Sequence, residues 1–408
     1  MNGSGTGFKR NSLIEIDESR NTSPEPVNDS GMEVIKDDDN HNCGNSSGEN
    51  DINKDNNYVL TRSQLIDFIK SNCKPMIIKD DTEHPIKYFI SLVLKGVKIT
   101  EIFNVVQIKS IFSNFIKINT GESLVKRIIT NSEKVVIVGD IHGYLESLNN
   151  VLFDVNNYNY IFLGDYIDRG PYQLECLLFI YLLKTIKPSN VLLLRGNHEA
   201  TRCENFLNSE LIEKLCGCDD DDINEIKELA YKSFDYLDMF TILDDHIMCV
   251  HGGVPSNFSV VEELMSKRKP YTFKHEIKIN KLLKVAKRDE HEENVLELLW
   301  NDPGNTEERF IHNEYRKGYK IFNKVATLEF FKQFNDKVCK DIKLDLIIRG
   351  HEFLRKGFNL KPNVLTIFSA YEYCNSDNFA TFLIYENSKF NIVIFFKDGD
   401  NFVRYLIN

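Results

Sequence analysis

The order of apolar runs in the sequence predicts an α/β fold. Over residues 134–237, short runs rich in Val, Ile and Leu alternate with amphipathic stretches, and beyond Leu344 strand-like runs follow one another closely. Four of the runs, at 135–138, 160–163, 191–194 and 247–250, lead into segments that carry Asp, Asn or His. Open α/β sheets hold ligands at the C-terminal ends of their strands, so these four ends mark a candidate site.

Taken in order, residues 1–57 read as a disordered acidic tail. They hold one aromatic residue, Phe8, and twelve Asp/Glu against five Lys/Arg, a net charge of −7 out of the chain's −11. Such a composition buries too little apolar surface to offset the entropy of ordering. The acidity therefore belongs to the tail, and the remaining 351 residues carry only −4. A helical extension is expected over 58–104. Thr61 or Ser63 caps a first helix with Leu65, Ile66 and Ile69 at helical spacing, Ile86 to Val93 form a second, and a third stretch runs from Ile102 to Phe115. The main domain then spans 105–408. Its expected elements are strand 134–139, helix 145–154, strand 160–164, helix 172–184, strand 191–195 and helices through Leu211 and over 227–237. Later strands at 344–349, 364–369, 379–385 and 390–396 suggest a second sheet packed on the first.

Residues 266–288 carry nine Lys/Arg and one acid, Glu276, with Ile279, Leu282, Leu283 and Ala286 at helical spacing. They read as a solvated helix face or as a docking surface for an acidic partner, either a regulatory subunit or the chain's own tail. Nine scattered cysteines without a Cys-x-x-Cys pair support neither a disulfide framework nor a zinc knuckle, and Cys216 and Cys218 read as loop thiols. No apolar run reaches the length of a membrane span. A soluble intracellular protein, cytoplasmic or nuclear, with no nucleic-acid or membrane partner is the expectation.

The four segments are Gly139-Asp140-Ile141-His142-Gly143, Gly164-Asp165-Tyr166-Ile167-Asp168-Arg169-Gly170, Leu194-Arg195-Gly196-Asn197-His198-Glu199 and His251-Gly252-Gly253. Carboxylate, amide and imidazole donors suit hard or borderline divalent ions, and their number points to a dinuclear metal site. Glycines at 139, 143, 164, 196 and 252 allow positive φ or close backbone approach. Followed in order by Leu299-Trp300-Asn301-Asp302-Pro303, Arg349-Gly350-His351-Glu352 and Ser369-Ala370-Tyr371-Glu372-Tyr373-Cys374, these motifs resemble the phosphoprotein phosphatase family. That family contains the metal-dependent serine/threonine phosphatases such as type 1, type 2A and calcineurin. The resemblance covers residues 105–400.

It implies a two-sheet β-sandwich flanked by helices, the calcineurin-like metallophosphoesterase fold. It also implies two divalent ions, Mn2+, Fe2+/Fe3+ or Zn2+. Asp140 and His142 would bind the first, Asp165 would bridge both, and Asn197, His251 and His351 would complete the second. A water held between two cations is deprotonated near neutral pH and attacks phosphoserine or phosphothreonine in one step. His198 would protonate the leaving oxygen, with Asp168 orienting its ring. Arg169 and Arg316 would bind the phosphate, with Asn197 and Tyr373 also on the substrate side. Arg195 and Glu199 are expected to brace their loop.

The sequence departs from the family pattern at Tyr144 for glutamine, Leu207 for a pocket tyrosine, Lys317 for the glycine after Arg316, Tyr371 for proline and Glu372 for asparagine. Two other readings compete. A dinucleoside-polyphosphate hydrolase shares the first three motifs but not the later ones, and a catalytically inactive phosphoprotein-binding scaffold predicts a missing ligand, whereas all six are present.

Overall fold

Alternation along one strand builds the centre of the molecule. In β3 (Val135–Val138), Val135 and Ile137 join one apolar cluster while Val136 and Val138 join another, as the period of two requires. The computed structural model describes residues 62–76, 84–200, 211–273, 289–316 and 318–407. The acidic tail, Leu207, Lys317 and residues 274–288 of the basic segment lie outside them.

β3 belongs to a seven-stranded sheet ordered β1 (Lys74–Pro75), β16 (Asn401–Ile407), β15 (Lys389–Asp398), β14 (Ala380–Glu386), β3, β4 (Asn159–Phe162) and β5 (Val191–Leu193). A six-stranded sheet runs β12 (Phe358–Lys361), β13 (Val364–Ile367), β11 (Leu346–Arg349), β7 (Ile247–Val250), β6 (Phe240–Leu243) and β2 (Val125–Ile128), and a small sheet is ordered β8 (Asp302–Pro303), β10 (Lys320–Phe322) and β9 (Phe310–His312). Between them Ile137, Ile161 and Leu163 of the first sheet pack with Ile247, Cys249, Ile348 and Ile367 of the second. The outer face of the first is covered by α2 (Pro85–Leu94), α4 (Val105–Asn119), α5 (Leu145–Val151), α6 (Gln173–Ile186), the short α7 (Leu211–Lys214) and α8 (Asp220–Phe234). The outer face of the second is covered by α9 (Ser259–Ser266), α10 (Glu290–Trp300) and α11 (Lys324–Lys337). This is the two-sheet sandwich flanked by helices that the resemblance implies.

Three features differ from the sequence reading. The late strands do not form a sheet of their own: β11 and β13 pair in parallel beside β7, whereas β14 runs antiparallel to β3. The chain changes sheets in the 368–379 segment, and a bridge between Asp140 and Phe368 joins the two sheets there. The stretch from Ile102 to Phe115 is two helices, α3 (Ile99–Ile102) and α4, because Asn104 caps the second. Its Oδ1 accepts the Gln107 N–H at 3.0 Å and the Gln107 Oε1 accepts the Asn104 N–H at 2.9 Å. Finally, the extension is not purely helical. After α1 (Arg62–Asn72), β1 pairs antiparallel with β16, and Ile86, Ile90 and Val93 of α2 lie in the same core as α5 and α6. Among the described residues no helix is long and apolar enough to cross a membrane, and the described cysteines are free thiols.

Candidate active site and metal centre

Asp140 and His142 follow β3, Asp165 follows β4, Asn197 and His198 follow β5, His251 follows β7 and His351 follows β11. All seven are buried. His142, Asp165, Asp168 and His351 have φ of 47°, 55°, 68° and 70°, a left-handed backbone that L-residues adopt only when held there. The restraint is visible. The Asp165 carbonyl accepts the N–H groups of Ile141 and His142 at 3.0 and 2.9 Å. The Glu199 carboxylate accepts those of Asp165, Tyr166 and Gly196 at 2.9, 2.8 and 2.9 Å. Gly196 is required here by space, since a Cβ would overlap the Asp165 carboxylate. Burial and then the Asp165 charge push the Glu199 carboxyl up to about 7. Arg195 reaches the Glu199 carbonyl at 3.0 and 3.1 Å and the Tyr271 carbonyl at 2.7 Å, so both residues brace the loop as expected.

Three histidines are oriented by main-chain carbonyls. His142 Nδ1 lies 2.8 Å from the Ile167 oxygen, His251 Nδ1 3.0 Å from Leu163, and His351 Nε2 3.2 Å from Trp300. A carbonyl only accepts, so those nitrogens carry the protons and the opposite ones present lone pairs to the site. His251 Nε2 and His351 Nδ1 both lie 2.8 Å from Asn197 Oδ1, and His251 Nε2 is 3.3 Å from Asp165 Oδ2. His142 Nε2 is 3.6 Å from Asp165 Oδ2 and 3.8 Å from Asp140 Oδ2. Lone pairs converging without a proton between them repel, and a cation among them removes that repulsion. The donor set therefore fits divalent metal. Asp165 belongs to both clusters, one with His142 and His198 and one with His251 and His351.

The electrostatics follow from burial. It pushes Asp140 up to about 6 and His142 down to about 4, and, with Arg316 adding to it, holds His351 well below the usual histidine range. Burial would raise Asp165 too, but any positive charge on the rings of His251, His198 and His142 around it favours the carboxylate and holds it far below the usual range. His198 differs from the other three histidines in its partner. Its Nδ1 faces the Asp168 carboxylate at 2.8 Å, while Nε2 lies 3.9 Å from Asp165 Oδ2.

Of the residues expected to face the substrate, the Arg169 Nε donates to the Tyr373 hydroxyl at 3.1 Å, and the Tyr373 ring lies 5.2 Å from that of His142. Arg316 Nε pairs with Asp302 Oδ2 at 2.7 Å and its Nη2 donates to the His351 carbonyl at 3.1 Å. The structure thus brings together all eleven residues singled out in the sequence. It adds others that the sequence reading gave no role. Arg349, fully buried, spans from the Gly252 carbonyl at 2.6 Å to Asp302 Oδ1 at 2.9 Å, and Gln173 Oε1 accepts the Asp168 N–H at 2.7 Å. Both Arg349 and Asp302 lie inside quoted motifs. A charge ending an apolar run was the available signal.

Comparison with known proteins agrees with this geometry. The calcineurin-like phosphoesterase family profile matches residues 133–353. The PP2A-like serine/threonine-protein phosphatase PPG1 of Saccharomyces cerevisiae is 28% identical over 294 residues, covering 69% of this chain and 74% of that protein. Serine/threonine-protein phosphatase PP1-1 of the same yeast is 30% identical over 59% of this chain and 70% of its own length. The serine/threonine-protein phosphatase 6 catalytic subunit of Caenorhabditis elegans is 29% identical over 62% and 69%. A solved yeast serine/threonine phosphatase, described as similar to human PP5, superposes with a TM-score of 0.58 over 78% of this chain and 95% of that one at 22% identity. The chain belongs to the calcineurin-like phosphoesterase family and, within it, to the serine/threonine protein phosphatases.

Proposed function

We propose that this phosphatase hydrolyses phosphoserine and phosphothreonine in proteins at a two-metal site held by Asp140, His142, Asp165, Asn197, His251 and His351. The observation that carries the reading is the convergence of His251 Nε2, His351 Nδ1 and Asn197 Oδ1, with the two imidazoles locked from behind by backbone carbonyls. When bound, the cations would lower the pKa of a water so that hydroxide is available at neutral pH, and would offset charge on the phosphoryl oxygens.

The chain's own residues do the rest. Arg169 and Arg316, each within reach of a site residue, offer donors to the phosphate oxygens. As the oxygen of the water bonds to phosphorus, the bond from phosphorus to the seryl or threonyl oxygen breaks and its electron pair stays on that oxygen. His198 supplies the proton from Nε2, the nitrogen left over when Nδ1–H is donated to Asp168. Free alcohol and inorganic phosphate result.

Asp165→Asn tests the metal assignment. It should cost at least tenfold in turnover of a phosphopeptide and reduce bound metal, measured by elemental analysis of protein purified without added metal. Wild-type turnover of a dinucleoside tetraphosphate above that of the phosphopeptide would overturn the substrate assignment. Unchanged metal content with activity above a tenth of wild type in Asp165→Asn would overturn the bridging role.

A further inference from the structure

The N-terminal extension returns to the site. α1 and β1 are fastened to the C-terminal strands: Lys70 Nζ lies 2.7 Å from Asp398 Oδ2, and the Met76 N–H donates to the Arg404 carbonyl at 2.8 Å. From the start of α1, Arg62 Nη2 donates to the Tyr371 hydroxyl at 2.6 Å and stands 3.7 Å from Glu372 Oε1. Tyr371 is itself buried, edge-on to Phe402 of β16, and its N–H donates to Ser147 Oγ at 2.9 Å. The two residues Arg62 touches are the two at which the 369–374 loop departs from the family pattern. The segment that touches them precedes residues 105–400, the span over which the resemblance holds. Extension and loop have their differences at the same contact.

The loop needs an external hold. Glu372, Cys374 and Asn375 have φ of 52°, 49° and 61°, an unfavourable backbone for three residues that are not glycine. Tyr144, another departure, contributes by accepting the Cys374 N–H at 2.7 Å. Between these residues sits Tyr373, whose hydroxyl accepts from Arg169.

We propose that Arg62 is a positioning residue for phosphate binding: by holding Tyr371 and Glu372 it fixes Tyr373, and through Tyr373 the guanidinium of Arg169. The inference rests on the placement of Arg169 and Tyr373 on the substrate side. A charge-assisted bond of this length, partly buried, supports a change of about threefold to tenfold in the constant it controls.

The test is a double-mutant cycle on the full chain with Arg62→Ala, Tyr373→Phe and the double variant, using p-nitrophenyl phosphate and a phosphoserine peptide. Arg62→Ala should raise KM on both substrates by about threefold to tenfold, with kcat moving by less than about twofold. Arg62→Lys, which keeps the charge and one donor, should recover part of the loss. The double variant should be no worse than the more impaired single variant. Independent, multiplicative losses would overturn the inference, as would unchanged KM in Arg62→Ala or a loss confined to kcat. A Tyr373→Phe variant with wild-type KM would instead sink the substrate-side placement and the inference with it. An impaired Tyr373→Phe in an additive cycle would sink the inference alone.

Discussion

Replacing His198 by asparagine should separate substrates by their leaving groups. Two bonds define this residue: Nδ1 to Asp168 Oδ2 at 2.8 Å, and its backbone N–H to Asp165 Oδ1 at 3.1 Å. Asparagine keeps the second and is compact enough for a buried position, so the fold should survive. What disappears is the transferable proton. An alkoxide leaving from phosphoserine needs it, and general acid catalysis contributes about 10²- to 10⁴-fold, or about 3–5 kcal/mol of barrier. The nitrophenolate of p-nitrophenyl phosphate leaves without protonation, so its kcat should fall by less than about tenfold. Asp168→Asn should give a smaller loss of the same selectivity. Burial opposes the Asp168 charge, yet His198, with Arg169 and His142 beside it, holds the carboxyl below the usual range. The assay is kcat on a phosphoserine peptide and on p-nitrophenyl phosphate at matched metal content. Equal losses on both would refute the assignment of His198 as the acid.

Two more outcomes follow from packing and charge. Gly196→Ala should lower kcat by about a hundredfold or more, because the new Cβ displaces the Asp165 carboxylate and a shift of about 1 Å is enough for that; near wild-type kcat with an unchanged melting temperature would contradict it. Lys184, which donates to the Pro188 and Val191 carbonyls, has its ammonium lowered by burial from 10.5 to about 8. The folded chain therefore loses that proton before the unfolded chain, so stability rises with pH between those values, by about 3 kcal/mol at most. Subtracting urea unfolding curves of Lys184→Met from wild type at pH 7.5, 9 and 10.5 should isolate this slope, and parallel pH profiles would refute it.

The strands that carry the site were legible because each pairs an uninterrupted apolar run with polar residues at its end; β3, buried throughout, is the clearest case. β2 was not, since only Val125 among its four residues is buried and Lys126 and Arg127 break the apolar signal. Pairing with β6 makes it a strand, and that is a tertiary fact. The assignment of late strands to two different sheets was hidden for the same reason, because sequence order says nothing about which neighbour accepts the hydrogen bonds. Within the site, donor side chains at four strand ends pointed to Asp140, His142, Asp165, Asn197 and His251, whereas His351, Arg316 and Tyr373 came only from the family resemblance. The carbonyls of Ile167, Leu163 and Trp300, which decide the orientation of the three site histidines, leave no trace in residue identity. Nor did anything in the 58–104 extension indicate that the first residue of α1 would touch the loop around Tyr373.

The inferred metal ligands come from both halves of the sandwich: Asp140, His142, Asp165 and Asn197 from ends of the seven-stranded sheet, His251 and His351 from ends of the six-stranded one. Cations bound among them would act as a rivet through the two layers. Sliding of one sheet across the other would then have to break coordination bonds as well as expose apolar surface, and the stabilisation would grow with the logarithm of free metal above its dissociation constant. In such a molecule a chelator loosens the scaffold while it removes the chemistry, and a mutation deep between the sheets changes metal affinity without touching a ligand.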